Sequence, residues 1–361
     1  MSTIEQIQAL RNEASRIGVF FPMIAETEIL GEPDTLHARP IASRRVLSMQ
    51  SGSDADADGA PTAETLARYV EAVRKQQYGI VWLEPCAVSA EARRCEHSLV
   101  LCEKNAEAFR RLTEGISKAS EDAFGTIPVI VALLDHAGHH ALTPVSIETS
   151  KALPTDAKLL TDDEMTQIVL QCAEAAKAAV TAGCGGIALN AADRNLFGES
   201  LAAFHRDGKF GGDFDDRTRF VRDCYTAMKM LTGERLFYTI RLCLSDGIAQ
   251  PDGWGMAFED LSAPDLYEPA LLLKILQTLY GVKLVLCSIG IPDINWMLLP
   301  ERESDLIRYS RLCTCTAMLD SDMQQNVQLI LPELDAEDVP FSNLAAGMIK
   351  GEFASFAGYV E

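Results

Sequence analysis

Short apolar runs recur along the chain at 45–49, 79–83, 127–134, 186–190, 236–242, 283–288, 327–331 and 353–357, eight in all. Most are nearly continuously hydrophobic, as in VIVALL, IALN and KLVLC, which is the pattern of a strand covered on both faces. Between them the period changes to helical spacing over 62–75, 105–118, 162–182, 217–231, 264–280 and 342–350. The first of these helices follows Pro61, and the third opens on Thr161-Asp162-Asp163-Glu164, the residues of a capping box. Residues 305–325 predict one helix plus irregular chain. Strands alternating with helices in this way predict an α/β fold, a parallel (β/α)8 TIM barrel over 41–361. Residues 1–40 are then a helical extension that caps the barrel's N-terminal end. An open doubly wound sheet would carry a glycine fingerprint after its first strand, and 48–53 reads SMQSGS instead.

Composition narrows the class without naming a function. With 361 residues, 48% of them hydrophobic, the chain can bury a large core. Against 52 acidic residues stand 32 Lys and Arg, a net charge of −20, with no basic run to offset it locally. Such a surface repels phosphate backbones, so no nucleic-acid partner is expected. No apolar run approaches the length of about 18 residues that a membrane span needs. The first twenty residues lack a basic segment followed by an apolar one, so the ten cysteines are expected to be reduced thiols in a cytoplasmic protein.

In a barrel, chemistry gathers where strands end. After the first run, Asp54, Asp56, Asp58 and Gly59 match the opening of a calcium loop, but Thr65 stands at its twelfth position. A plain acidic loop is the expectation there. After the third run, Asp135, His136, His139 and His140 have the residue types to hold a divalent metal for a lyase or hydrolase, or to contact a substrate. After the fourth come Asn190, Asp193, Arg194 and Asn195, which read as a ligand pocket or as a solvated loop with a helix N-cap. Arg241 interrupts the fifth run, FYTIRLCL, and a guanidinium in such a strand needs a partner. A buried bridge to Glu84 or Asp135, an anionic cofactor or an electron-rich ring would each serve.

Several blocks, in order, resemble the old yellow enzyme family of FMN-dependent oxidoreductases. Ser43 to Ser51, followed by Asp58-Gly-Ala-Pro61-Thr62, is similar to that family's first strand and D-G-x-P-T loop. Glu84-Pro-Cys-Ala-Val88-Ser89 with Arg93, His136-Ala-Gly-His139, and Leu160-Thr161 through Gly186 resemble successive later segments. The most specific block is Phe210-Gly-Gly-Asp-Phe-Asp-Asp-Arg217-Thr-Arg219-Phe220, similar to Y-G-G-S-x-x-N-R-x-R-F, and 351–358 resembles the last strand.

The resemblance implies an NADH- or NADPH-driven enzyme that passes hydride through FMN to an electron-poor alkene or carbonyl of a small molecule. It implies flavin contacts from Met49, Gln50, Ser51, Pro85, Arg241, Gly358 and Tyr359, with Arg241 beside the pyrimidine end. Asn190 and Asp193 fall where the family holds the substrate's oxygen, and Asn195 falls where it has a tyrosine proton donor. The proton would then come from water, from Tyr359 or from a histidine of the 136–140 cluster. Leu133 stands for a ring-reading glutamine, and Leu331-Pro332-Glu333 stands where phosphate-binding glycines are usual. These departures keep open a second reading, a flavin-free degenerate barrel acting as a binding or assembly protein. A homo-oligomer or a subunit of a larger complex is compatible with either.

Overall fold

A computed structural model describes residues 28–149, 155–258, 264–288 and 290–291, the strands 314–318 and 328–330, and residues 12 and 16. In chain order its elements are β1 (Asp34–Leu36), β2 (Arg39–Ile41), β3 (Val46–Ser48), α1 (Ala63–Lys75), β4 (Ile80–Ala87), α2 (Ala106–Phe124) and β5 (Val129–Asp135). There follow the short β6 (Val145–Ser146) and β7 (Lys158–Leu159), then α3 (Asp162–Thr181), β8 (Gly186–Ala191), α4 (Leu196–Leu201) and α5 (Phe214–Thr232). The last are β9 (Phe237–Cys243), α6 (Tyr267–Tyr280), β10 (Leu284–Ser288), β11 (Thr314–Met318) and β12 (Gln328–Ile330).

Six of the predicted runs become consecutive parallel strands, β3-β4-β5-β8-β9-β10, and form the wall of an α/β barrel. Strand pleating decides which side each residue takes. Trp82, Val131, Leu133, Ala188, Phe237 and Leu286 pack together on the inside, while Val81, Ile130, Leu134, Ile187, Ile240 and Val285 pack outward with the helices. Both faces are buried from β4 to β10, which is why these runs are apolar at most positions.

The expected helical cap is in part something else. The β1–β2 hairpin closes the barrel's N-terminal end, with Leu36 and Ile41 in the inner cluster. The His37 ring stacks on Phe237 at 5.0 Å, and Arg39 donates to the Arg235 carbonyl at 3.0 Å. Residues 34–41 are too short to fold as a stable helix by themselves, and paired as a hairpin they satisfy backbone groups next to the strand ends. No helix among the described residues is long and apolar enough to cross a membrane.

Other boundaries move for local reasons. Helix α2 runs six residues past the expected end at Lys118 and stops at Gly125, whose φ of 68° ends it in the left-handed region. Helix α5 starts early because the Asp213 side chain caps it by accepting from the Asp216 N–H. Within 305–325, where one helix plus irregular chain was expected, Thr314–Met318 is a strand, antiparallel to β10, and the β-branched Thr314 and Thr316 favour that state; the other positions of that range lie outside the described residues. The seventh run appears as β12, but it pairs antiparallel with β11 instead of lying beside β10. The eighth run, the helix expected at 342–350, Gly358 and Tyr359 lie outside the described residues.

The predicted capping box at Thr161 is present in both directions, between its hydroxyl and the Glu164 N–H and between the Glu164 carboxylate and the Thr161 N–H. Thr161→Ala is expected to cost about 1 kcal/mol. Urea unfolding should show it as a lower midpoint with an unchanged slope.

Candidate active site

The inward-facing pattern changes from apolar to polar where the strands end. Above the floor of Trp82, Leu133, Ala188 and Leu286 come Asp135 on β5, Asn190 on β8, Arg241 on β9 and Ser288 on β10. Asn190 and Arg241 are directly opposed in the parallel ladder, and Pro85 is opposed to Leu133. The β4 register shifts between Trp82 and Pro85, so the chain re-aims at the mouth of the barrel.

Arg241 finds a partner that the sequence did not single out. Its Nη2 lies 2.8 Å from Asp193 Oδ2, and its Nη1 donates to Asn190 Oδ1 at 3.4 Å. The expected bridges to Glu84 or Asp135 are not made, because each of those carboxylates is already held elsewhere. The guanidinium stays 17% exposed and Asp193 26%, so the pair sits at the opening and not in the core.

Asp193 reaches Arg241 from a strained turn. It and Arg194 have φ of 53° and 49°, successive left-handed residues that are not glycine. Arg194 fixes the turn from the other side, donating to the Asp252 carbonyl at 2.7 Å with its Nε 3.8 Å from Asp246 Oδ2. Asp246 itself accepts from the Ile248 and Trp254 N–H groups, and burial pushes its carboxyl up to about 6. The loops after β8 and β9 are thereby joined.

Asp135 is buried at the centre of a hydrogen-bonded group. The side-chain amides of Asn190 and Asn195 both donate to its Oδ1, at 3.0 and 2.7 Å. Arg94 in turn donates to Asn195 Oδ1 at 3.3 Å. Burial raises the Asp135 carboxyl to about 6, opposed by the positive charge of Arg94 and the amide of Asn190. Next to it His136 is buried, its Nδ1 accepts from the Gly138 N–H, and desolvation lowers it to about 4. The His139 and His140 rings lie against one another, tilted by 44° with centroids 3.8 Å apart. Among the described residues no group of three or more His, Cys, Asp or Glu is placed to hold a metal ion.

The loop carrying Met49, Gln50 and Ser51 is tied down by one arginine. Arg68 of α1 reaches Asp54 with Nε at 2.5 Å and Glu84 with Nη2 at 2.5 Å, and donates to the Gln50 carbonyl at 3.4 Å. The second Glu84 oxygen accepts from the Gly52 N–H at 2.8 Å. Asp54 also accepts from Thr65, Asp56 accepts from the N–H groups of Asp58 and Ala60, and Asp58 pairs with Lys104 at 2.8 Å, so each of the calcium-like aspartates has a protein partner. Ser51 and Gln50 are exposed, and Met49 is partly buried.

Of the residues selected from the sequence, Asn190, Asp193 and Arg241 meet in one cluster, with Pro85 on β4, two strands from β8, and 49–51 on the loop beyond Glu84. Arg68 and Asp246 were missed, and Arg194, singled out with its neighbours, holds the turn through Asp246 and the Asp252 carbonyl. Arg68 looked like any charged residue on a solvated helix face. Its one visible signal was Glu84, a carboxylate in the otherwise apolar run IVWLEP that had to find a cation.

A wall of parallel strands with charged and amide side chains converging at their C-terminal ends is the architecture of an α/β barrel, and those strand ends are its candidate site. Residues 32–257 match the family described as NADH:flavin oxidoreductase / NADH oxidase, and the chain belongs to that family. It is 30% identical over 230 residues to an NADPH dehydrogenase of Bacillus pumilus, covering 61% of this chain and 65% of that protein. An NADPH dehydrogenase of Bacillus velezensis is 30% identical over 178 residues, 47% of this chain and 50% of the relative. The chain thus spans less than two thirds of the length of these relatives. Among solved structures, the old yellow enzyme homologue from Zymomonas mobilis shares the fold with a TM-score of 0.52 at 23% identity, over 62% of this chain and 65% of that one.

Proposed function

We propose that the protein is an FMN-dependent NAD(P)H oxidoreductase acting on a small molecule with an electron-poor alkene or carbonyl, in the cytoplasm. The observation that carries this reading is Arg241. It is an inward-facing, partly exposed guanidinium opposed in register to Asn190, above an apolar floor. That arrangement suits a flat heteroaromatic ring with an electron-rich edge. Among the described residues, two buried inward donors, Trp82 Nε1 and Ser288 Oγ, have no hydrogen-bond partner, which leaves polar capacity for a ligand.

Bound FMN would supply the two-electron chemistry, taking hydride from a nicotinamide and giving it to the substrate. The chain's own residues then have three tasks. Arg241 sets positive charge at the pyrimidine edge, where reduction builds negative charge. Met49, Gln50 and Ser51 line one rim and Pro85 another, and Gly358 and Tyr359 belong to the same proposed contacts. Asn190 spends one amide hydrogen on Asp135, and the other is left to hold the substrate's oxygen. Asp193 flanks the substrate while paired with Arg241.

That ion pair also favours the second reading, a flavin-free barrel in which Arg241 is satisfied by a protein carboxylate. A visible spectrum of the purified protein, recorded after FMN is added and unbound FMN removed, separates the two. The expected result is stoichiometric bound flavin that bleaches with NADPH. A colourless protein sinks the oxidoreductase and leaves a binding or assembly barrel, for which the size of the native complex is the next measurement.

A further inference from the structure

We propose that Asp135 is the proton donor of the reduction, held in place by Asn190 and Asn195; this rests on the oxidoreductase reading above. Reducing an alkene consumes a proton as well as a hydride, so some group at the mouth has to carry one. The amides of Asn190 and Asn195 and the guanidinium of Arg241 do not release protons near neutral pH. Asp193 is ion-paired with Arg241. Both oxygens of Glu84 are engaged, one by Arg68 and one by the Gly52 N–H. Buried His136 is a neutral imidazole whose Nδ1 already accepts from Gly138.

Asp135 differs from all of these. It follows the inward positions Val131 and Leu133 on β5, so it faces the mouth. Both amides donate to the same oxygen, Oδ1, and neither uses Oδ2. A neutral carboxyl needs one oxygen to accept and the other to carry the O–H, and this geometry divides the two. Asp135 is also one hydrogen bond from Asn190, the group proposed to hold the substrate's oxygen. The charged and titratable groups around it come from four elements: Arg94 in the loop after β4, Cys86 on β4, Asp193 after β8, and Arg241 on β9. Burial outweighs the two arginines, and the carboxyl lies near 6, where it both holds and gives up a proton.

The step balances as follows. An alkene conjugated to a carbonyl receives hydride at its β carbon, supplied by NADPH by way of the flavin. The displaced π pair takes up a proton at the α carbon as the Asp135 O–H bond breaks. That bond's electron pair stays on the carboxylate, and water reprotonates it.

The test uses FMN-loaded protein, NADPH and 2-cyclohexen-1-one as the probe, with the two half-reactions followed separately under anaerobic conditions. For wild type, kcat/KM of the enone step is expected to hold level below about pH 6 and fall tenfold per pH unit above it. Asp135→Asn is expected to slow flavin reoxidation by the enone by roughly 100-fold or more while flavin bleaching by NADPH stays within about a factor of two. A wild-type profile flat from about pH 5 to 8 overturns the assignment, as does an Asp135→Asn protein that reoxidises as fast as wild type. If Asp135→Asn takes up no flavin, the wild-type profile decides alone. A wild type that itself binds no FMN overturns the oxidoreductase reading and this assignment together, whereas a yellow, NADPH-reducible wild type with a flat profile overturns Asp135 only.

Discussion

Arg241→Ala is expected to weaken FMN binding by about 10- to 100-fold, the weight of losing a hydrogen bond to a charged group in a partly buried site. The side chain it removes does two things at once. It takes a cation away from the mouth, and it leaves the Asp193 carboxylate facing the same space without its 2.8 Å partner. The second effect adds to the first, because an unpaired carboxylate repels an electron-rich ring. Asp193→Asn should act in the opposite direction and tighten binding several-fold, since the guanidinium is then free to turn to the ring. The double variant identifies the cause. If the two residues act through each other, the Arg241→Ala penalty shrinks once Asp193 is neutral. Flavin fluorescence quenching on titration measures all four proteins. An Arg241→Ala protein that binds FMN as tightly as wild type removes the observation on which the functional proposal stands.

The second large effect is on stability. Arg68→Ala is expected to destabilise the fold by about 3 kcal/mol at neutral pH, the lower end for breaking a buried ion pair, because Arg68 itself is partly exposed. Glu84 is 1% exposed and would keep the Gly52 N–H as a partner but lose its cation. Burial already raises the Glu84 carboxyl, with Arg68 as the chief opposing influence, so the variant raises it further. A carboxyl whose folded pKa lies above its unfolded value stabilises the fold at low pH and loses that contribution as pH rises through the folded value. The deficit of Arg68→Ala should therefore be larger at pH 8 than at pH 5. Adding Glu84→Gln should recover most of it, since the buried charge is then gone. Chemical denaturation at the two pH values reads both effects, and a deficit independent of pH would mean that Arg68 matters for packing and not for charge.

The barrel was legible because its signal is redundant. Each of the six parallel strands described is apolar on both faces, and each helix between them is apolar on one, so period and length agree over more than two hundred residues. The hairpin at 34–41 and the strand at 314–318 were not legible. A three- to five-residue segment has too few positions to display a period, and its state depends on the strand that it meets.

For the site, sequence alone determined which residue types stand at the strand ends: an arginine in FYTIRLCL, amides and carboxylates after IALN, a glutamate in IVWLEP. It also showed that Arg241 needed a partner. Only the tertiary structure decided that the partner is Asp193, that Arg68 holds Glu84, and that Asn190 and Asn195 converge on Asp135. The physical reason is range. Burial and backbone period follow from neighbours within a few residues, whereas these pairings join side chains 16 to 60 positions apart. Several carboxylates stood within reach of each cation on paper, and the pleat, the β4 register shift and the left-handed turn at Asp193 and Arg194 selected among them.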